Sequence, residues 1–533
     1  MSGPKFQDTV TGMLASSAAL TNGAGVIYDG CMTTYSELDV LSRRAAAGFA
    51  AQGIGPGDRV AFWLPNTPAY LVLYFACVRL GAIAVAVNTR FRSGEVEDVL
   101  GRTGAKALIM WPGFRGIDFT GILEEVDGAA IDRLELAILY SEDDTVQSAV
   151  SGIDRTLSYD ELFDVGIHTA DAAKPELGCN TFTTSGTTKA PKFVLHANES
   201  MGVHAAEVAL DFGYIDPSTV VQQDMPLCGV FGLTGALAAI AAARPLILTA
   251  SFDAELTAGL MAQHKVTHFD GSDEMIDRLL RATDHDEIFE RIGFAGYAIF
   301  NSYLDDIVER AERRGLRAVG LWGMSEMQAL VTRRNRDDPA EIRKKGGGRL
   351  VSPRAAARVR DPGTGEICAE GIAGELEIKG PSRMLEYLDD AVSTAETLTD
   401  DGFVRTGDLC QMEPGGGFEY LTRMGDVLRL GGFLVSPAEI EAEIQAYPTV
   451  AGVQVVSASM AGTDRPVAFV IAETGTTIEE GPVQAHCAAR LAKYKVPAKV
   501  VPLDSFPVTE SANGVKIQRA KLRQMAIDLV TMD

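Results

Sequence analysis

The chain has 533 residues, of which 46% are hydrophobic and 23% are charged. A chain of this length and composition has ample material for a core but exceeds one compact unit, and it is not disordered, collagen-like or a disulfide scaffold. Its 48 basic and 72 acidic side chains give a net charge of −24, which disfavours nonspecific binding to nucleic acid or to an anionic membrane surface.

Short apolar runs alternate with longer amphipathic segments from about residue 30 to residue 330. The clearest unit is a strand at 59–65, a helix at 69–80 and a strand at 82–88. This alternation predicts a parallel-type sheet covered by helices. The longest apolar stretches, 69–87 and 233–250, contain arginines, so they predict buried helix and strand and no membrane span.

After about residue 350 the pattern changes to short β segments such as 374–380, with a turn at 414–417. This texture predicts a smaller β-rich subdomain. The last part of the chain predicts a helix at 437–447 and a strand at 453–459. The expected fold is therefore α/β: a large N-terminal region of sheets and helices, a β-rich subdomain, and a small α+β C-terminal domain.

The seven cysteines are scattered without a C-x-x-C pair. This pattern favours reduced thiols in a cytoplasmic protein and offers no structural zinc site. The first ten residues, MSGPKFQDTV, lack the apolar run of a secretory signal, so we expect the mature chain to begin with them. The oligomeric state is left open, with a homodimer as one arrangement.

Residues 183–192 hold five hydroxyl side chains, one glycine and two lysines. Backbone N–H, hydroxyl and ammonium donors at this density suit a triphosphate, although a stretch of this composition alone is more often a surface loop. The stretch does not match the P-loop pattern. Its order, TSGTTKAPK, resembles the phosphate-binding signature T-S-G-T-T-G-x-P-K of the adenylate-forming (ANL) superfamily, which contains the acyl-CoA synthetases. By that resemblance, ATP phosphates are bound by Thr184, Ser185, Gly186, Thr187, Thr188, Lys189 and Lys192, with Lys189 where the family usually has glycine.

The stretch LWGMSE at 321–326 resembles the family segment aromatic-G-x-[TS]-E. The resemblance implies that Trp322 lies against adenine, Ser325 contacts the α-phosphate and Glu326 helps to hold Mg²⁺. An aromatic face can stack on a base, and a carboxylate offers the hard oxygen that Mg²⁺ prefers. The family usually has tyrosine at position 322, and in isolation this tryptophan is also typical of a buried strand end.

Two later segments resemble the ribose site and the junction between domains. In GFVRTGDL, Asp408 is expected to accept hydrogen bonds from the ribose hydroxyls, with Arg423 as the second ribose contact. The resemblance implies an N-terminal domain at 1–424 and a mobile lid at 425–533, with Gly425 as the hinge where the family normally has Asp or Lys. Gly431 and Gly432 are expected to meet coenzyme A.

The sequence NGVKIQR at 513–519 resembles the segment that carries the family's catalytic lysine. Many members have glycine directly before that lysine, whereas Val515 intervenes here. We assign the role to Lys516, because a mobile ammonium can bridge the α-phosphate and carboxylate oxygens as they join. The plain alternative is one more solvated lysine in a basic tail.

Two further departures concern the acyl pocket. Gly229 stands where the family usually has histidine, and residues 294–299 stand where many members have a G-[GS]-A-P loop at the pocket floor. The expected pocket residues are Gly229, Phe231, Gly296, Tyr297, Ala298 and Gly323. No unpaired charged side chain occurs in either segment, which favours an apolar acid.

The resemblance as a whole implies an AMP-forming carboxylic acid:CoA ligase. Its expected small-molecule partners are ATP with Mg²⁺, a carboxylic acid, and coenzyme A as co-substrate. Catalysis is expected from Lys516, Glu326 and Ser325. Two alternatives stay open: a stand-alone adenylating enzyme that loads a separate carrier protein, and a nucleotide-binding protein that has lost turnover.

Overall fold

The computed structural model of the chain describes residues 7–20, 23–142, 149–184, 191–300, 304–430, 433–460, 463–511 and 514–532. These residues form a large N-terminal body of two sheets and their helices, a β-rich part, and a small C-terminal domain. The predicted α/β fold class is confirmed. No described helix is long and apolar enough to cross a bilayer.

In the part of the chain that the structure describes, the strands of the first sheet lie in the order β19-β9-β8-β4-β3-β5-β6-β7. The strands from β8 to β7 are parallel to one another, whereas β9 runs antiparallel between β8 and β19. The strands are β3 (Arg59–Trp63), β4 (Ile83–Ala86), β5 (Ala107–Met110), β6 (Leu136–Leu139), β7 (Arg155–Ser158), β8 (Gly178–Thr183), β9 (Phe193–Ala197) and β19 (Glu386–Tyr387). The predicted strand, helix and strand between 59 and 88 are present.

The second sheet has a parallel half, in the order β14-β13-β12-β10-β11-β1, with β2 antiparallel at its edge. The strands are β1 (Gly25–Tyr28), β2 (Cys31–Thr34), β10 (Val221–Gln223), β11 (Leu246–Leu248), β12 (His268–Ser272), β13 (Phe294–Ala298) and β14 (Ala318–Trp322). The prediction of a loop at 294–299 is wrong for its first five residues, which form β13. All five pair with β12, and Ala295, Gly296 and Tyr297 also pair with β14. A run of small and aromatic residues without charge fits a strand buried on both faces.

The same sheet continues into the β-rich part through antiparallel strands in the order β17-β18-β20-β21-β16-β15-β14. These strands are β15 (Thr332–Arg333), β16 (Gly347–Leu350), β17 (Ala356–Arg360), β18 (Ala373–Lys379), β20 (Val404–Met412) and β21 (Phe418–Arg423). The predicted β-rich subdomain is therefore not a separate sheet. It extends directly from the strand that ends in Trp322.

Helices cover both sheets and fill the space between them. In α3, α6 and α7 almost every residue is buried, as expected of helices packed on several sides. Thr67 caps α3, whose first residue is Pro68. The N-terminal helices are α1 (Val10–Ala18), α2 (Tyr35–Ala51), α3 (Pro68–Arg79), α4 (Ser93–Thr103), α5 (Phe119–Glu124), α6 (Asn198–Asp211), α7 (Val230–Ala241), α8 (Ala254–His264), α9 (Asp273–Ala282), α10 (Glu287–Glu290), α11 (Ile307–Arg313), α12 (Ala340–Arg343) and α13 (Ala391–Thr397).

The C-terminal domain has its own apolar clusters, built around Ile440 and Val455 and around Phe469 and Leu522. Its central sheet has the order β24-β25-β26. The elements are β22 (Leu428–Leu430), β23 (Phe433–Val435), α14 (Pro437–Gln445), β24 (Val450–Met460), β25 (Thr463–Ala472), α15 (Glu480–Ala488), β26 (Lys499–Pro502), β27 (Val508–Ser511), β28 (Gly514–Ile517) and α16 (Arg519–Met532).

Candidate functional site

The predicted phosphate loop connects the antiparallel strands β8 and β9. Two hydrogen bonds close its base: the Thr184 amide donates to the Lys192 carbonyl at 2.9 Å, and the Lys192 amide donates to Thr184 Oγ1 at 3.0 Å. These bonds therefore hold Thr184 and Lys192, the two described ends of the loop, next to each other. The predicted residues Ser185, Gly186, Thr187, Thr188 and Lys189 lie outside the described residues.

Asp408 and Arg423 are cross-strand partners on β20 and β21. Arg423 Nε lies 3.1 Å from Asp408 Oδ1, and the Trp322 indole N–H donates to Asp408 Oδ2 at 3.0 Å. The structure thus brings together three predicted site residues from distant parts of the chain. The indole N–H gives this tryptophan a polar contact of its own in place of the tyrosine hydroxyl usual in the family.

The electrostatics of Asp408 suit a ligand that donates hydrogen bonds. Burial raises the pKa of Asp408 to about 6, against the opposing effects of Arg423 and Trp322. Asp408 Oδ1 is buried, and its contact with Arg423 Nε at 3.1 Å is an ion pair without the geometry of a hydrogen bond. A carboxylate oxygen paired with one cation still has a lone pair to offer, so Oδ1 is suited to accept from a ribose hydroxyl.

Glu326 lies in a short 3₁₀ turn after β14 and is buried. Its Oε1 accepts the Tyr387 hydroxyl at 2.6 Å, and its backbone carbonyl accepts the Met384 amide at 2.8 Å. Lys192 Nζ lies 4.4 Å from the centroid of the Tyr387 ring. The predicted metal ligand and the end of the phosphate loop are therefore joined through one tyrosine.

Where the structure is described, no group of three or more His, Cys, Asp or Glu side chains could hold a metal ion. Mg²⁺ usually takes one or two carboxylates and completes its shell with water and substrate phosphates. Glu326, beside the phosphate loop, fits that role as a single protein ligand.

The chain after Glu326 is strained. Gln328, Ala329 and Leu330 have φ values of 63°, 51° and 46°, a region that residues with a side chain rarely adopt. The Thr234 hydroxyl donates to the Gln328 carbonyl at 2.9 Å, and His204 Nε2 lies 2.8 Å from the Ala329 carbonyl oxygen. These buried contacts from α6 and α7 hold the turn that carries Ser325 and Glu326.

Gly323 is needed because this turn folds back on it. A Cβ at position 323 would lie 2.5 Å from Ala329 Cα and 2.8 Å from Leu330 N. Gly323→Ala is expected to destabilise the protein by about 1–3 kcal/mol and to lower activity at least tenfold, since the backbone carrying Glu326 must move. Thermal unfolding and turnover of the variant check this. Gly94→Ala is the control, because a Cβ there meets nothing within 4 Å, and equal behaviour of the two variants would contradict the expectation.

Two buried histidines support the same turn. His196 Nε2 lies 2.7 Å from the Ser325 carbonyl oxygen, so both His196 and His204 act as N–H donors. Burial lowers the pKa of each imidazole to about 4. Both are therefore neutral in the folded protein near pH 7, and each retains an unprotonated Nδ1.

This neutrality predicts a pH effect on stability. Because the folded pKa of His204 lies below that of the unfolded chain, its contribution is present above about pH 6.5 and is lost as the pH falls toward 4. The His204→Gln side chain keeps an N–H donor but does not titrate. Between pH 7 and pH 5 the variant should therefore lose about 2 kcal/mol less of its free energy of unfolding than the unchanged protein loses. Unfolding of both proteins at the two pH values measures this, and exposed His285→Gln should behave like the unchanged protein.

The predicted acyl-pocket residues occupy different environments. Gly229 precedes α7, Phe231 is buried in that helix, and Gly323 is exposed at the end of β14. Gly296, Tyr297 and Ala298 lie on β13, and Tyr297 is 1% exposed within the main core. The pocket assignment of these six residues stays a prediction, and Tyr297 serves as core packing in this arrangement.

The predicted lid residues are only partly described. The Gly425 carbonyl accepts from Arg523 Nη2 at 2.8 Å, and a Cβ at Gly425 would meet nothing within 4 Å. Lys516 lies on β28, paired with Thr509, and its side chain falls outside the description. Gly431 and Gly432 also lie outside the described residues.

Tyr387 and His196 were not predicted from the sequence. Tyr387 follows GPSRMLE and lies on a strand of two residues, which is too short for a periodic signal. His196 is one histidine in an apolar run, typical of a buried strand. Their roles depend on contacts with residues 325 and 326, more than sixty positions away in the case of Tyr387.

Comparison with known proteins gives consistent matches over nearly the whole chain. The family described as AMP-binding enzyme matches residues 14–388, and the AMP-binding enzyme C-terminal domain matches residues 439–513. Triostin synthetase I of Streptomyces triostinicus is 29% identical, covering 94% of this chain and 91% of its own length. The mitochondrial medium-chain acyl-CoA ligase of Rattus norvegicus is 26% identical over 94% of this chain and 84% of its own. ATP-bound MatB from Rhodopseudomonas palustris superposes with a TM-score of 0.81 at 25% identity, covering 98% and 100% of the two chains.

Proposed function

The chain belongs to the AMP-binding enzyme family and is an acid–thiol ligase. From this premise we propose that it activates an apolar carboxylic acid with ATP and transfers the acyl group to coenzyme A. The observation that carries the proposal is the group formed by the buried Trp322 and Asp408 with the more exposed Arg423, beside Glu326. It supplies an aromatic side chain, an acceptor for ribose hydroxyls and a carboxylate for a metal ion.

In the first half-reaction the acid carboxylate attacks the α-phosphorus of ATP, and pyrophosphate leaves as the acyl-adenylate forms. The loop that Thr184 and Lys192 close binds the phosphates, and Asp408 with Arg423 orients the ribose. Glu326 would hold Mg²⁺, which when bound would neutralise charge on the phosphate oxygens. Lys516 stabilises the charge on the joining oxygens.

In the second half-reaction the thiol of coenzyme A attacks the acyl carbonyl and AMP leaves. We propose that residues 425–533 act as the mobile lid, that Gly425 is its hinge, and that Gly431 and Gly432 then face coenzyme A. Support comes from the separate apolar clusters of the C-terminal domain and from the free space around Gly425. Glycine absorbs changes in φ and ψ readily.

The apolar acid is supported by the residues around the start of α7. Gly229 and Phe231 contribute no charge, and the neighbouring Cys228 and Val230 are buried.

The free state of all seven cysteines supports a cytoplasmic location.

The test is pyrophosphate release from MgATP with a panel of short, medium, long, aromatic and dicarboxylic acids, each with and without coenzyme A. Acid-dependent release with an acyl-CoA product is the expected result, strongest for an apolar acid. Release without a thioester would point to a carrier protein as acceptor. A preference for dicarboxylic acids as substrates would overturn the proposed apolar pocket. Binding of ATP without pyrophosphate release, for every acid in the panel, would overturn the proposed turnover.

Gly425→Pro is expected to slow thioester formation at least tenfold while adenylate formation changes less. Proline fixes φ and so restricts rotation at the hinge. Pyrophosphate release without coenzyme A and thioester formation from supplied acyl-adenylate measure the two steps separately. Gly425→Ala is the control, since the free space accepts a methyl group. Unchanged thioester kinetics in the proline variant would place the pivot elsewhere.

A further inference from the structure

Tyr387 contacts two parts of the candidate site that come from different sheets. It lies on β19 at the edge of the first sheet, opposite Val194 on β9, and is 4% exposed. Its hydroxyl donates to Glu326 Oε1 at 2.6 Å, and its ring lies 4.4 Å from Lys192 Nζ. One side chain therefore contacts both the proposed metal ligand and the last residue of the phosphate loop.

The two contacts use different parts of the tyrosine. The hydroxyl makes a short hydrogen bond to a carboxylate, which is among the stronger hydrogen bonds in proteins. The ring face attracts the lysine ammonium by a cation–π interaction. A tyrosine phenol is protonated near pH 7, so the hydroxyl remains a donor.

The segment around Tyr387 is itself held in place. Its backbone amide donates to Thr394 Oγ1 at 2.9 Å, and the Leu388 amide donates to the Phe193 carbonyl at 2.8 Å. The Met384 amide binds the Glu326 carbonyl. The phenol thus reaches Glu326 from a rigid strand, and Glu326 is fixed at both its backbone and its carboxylate.

We propose that Tyr387 is a positioning residue that sets the separation between Glu326 and Lys192, so that a metal ion held by Glu326 and phosphates bound by Lys192 would be bound together. The proposal rests on the proposed function for the roles of Glu326 and Lys192. With Oε1 engaged by the phenol, Glu326 is oriented to offer its other oxygen to the metal. Partners that orient a metal ligand in this way typically change metal affinity by 10- to 100-fold when they are removed.

The test compares Tyr387→Phe, which keeps the ring and removes only the hydroxyl, with Tyr387→Leu, which removes both contacts. Tyr35→Phe is the matched control: Tyr35 is 1% exposed and its hydroxyl donates at 2.6 Å to the Arg244 carbonyl, away from the candidate site. For each full-length protein, ATP affinity is measured by titration calorimetry at a series of free Mg²⁺ concentrations. Turnover at the same Mg²⁺ concentrations is a second readout.

Tyr387→Phe is expected to raise the free Mg²⁺ needed for half-maximal ATP affinity and turnover about tenfold, with both restored at high Mg²⁺. Tyr387→Leu should stay impaired at every Mg²⁺ concentration, and Tyr35→Phe should match the unchanged protein. An unaltered Mg²⁺ dependence in Tyr387→Phe would overturn the proposal and leave only a packing role. Calorimetry needs no acid substrate. If the protein binds MgATP but shows no turnover, the proposed function is overturned, yet the Mg²⁺ dependence of ATP affinity still decides the role of Tyr387. Failure of the unchanged protein to bind ATP would overturn both the proposed function and the proposed role of Tyr387.

Discussion

Replacing Lys516 by alanine is expected to slow acyl-adenylate formation by about two to three orders of magnitude, while thioester formation from supplied acyl-adenylate stays close to that of the unchanged enzyme. The ammonium group is needed only while charge develops on the α-phosphate and carboxylate oxygens. Once the adenylate exists, the second step no longer uses it. Single-turnover measurement of each half-reaction separates the two effects.

The structure supplies a control for this lysine among the nearby basic residues. Arg519 is bound to the buried Glu441 at 2.8 Å and to the Val455 carbonyl, which ties it to the C-terminal core. Lys521 is exposed on α16, so Lys521→Ala should leave both half-reactions unchanged. Equal loss of both half-reactions in Lys516→Ala would refute its assignment, as would a similar loss in Lys521→Ala.

The second large effect is expected at Asp408. Asp408→Asn preserves the shape of the side chain but removes its charge and one hydrogen-bond acceptor, so the KM for ATP should rise about 10- to 100-fold. The change should be smaller in kcat, because ribose binding is lost from ground state and transition state alike. Steady-state kinetics at saturating acid and coenzyme A measure both constants.

The same residue predicts a pH dependence. Burial holds the pKa of Asp408 at about 6, so the free protein carries a neutral carboxyl below that pH and ATP binding should weaken as the pH falls through it. The asparagine variant should not show this loss. Glu377→Gln is the control, since Glu377 is a buried carboxylate paired with Arg358 and Arg360. It should lower stability with little change in KM, and a rise in KM equal to that of Asp408→Asn would contradict the ribose role.

The sequence predicted the local elements well where periodicity and length agreed. The strand–helix–strand unit at 59–88, the apolar helix and strand after residue 230, and the β segments after 350 are all present. The error at 294–298 has a physical cause: a run of five small and aromatic residues in the middle of a parallel sheet has no alternation to distinguish it from a loop.

The candidate site was predicted only in part. Trp322, Asp408 and Arg423 were identified by short motifs, and the structure places them in contact. Tyr387 and the histidines of β9 and α6 act through distant partners, which no local pattern encodes. The left-handed turn after Glu326 was also missed, because none of its three residues is glycine.

That turn has a consequence for the order of folding. Three successive residues in the left-handed region do not hold that conformation by themselves, so they depend on Thr234 of α7 and His204 of α6 for their carbonyl contacts. Those helices must already be packed between the sheets before the turn can form. We therefore expect Ser325 and Glu326, the proposed catalytic residues, to reach their final geometry late, after the hydrophobic body of the protein has assembled.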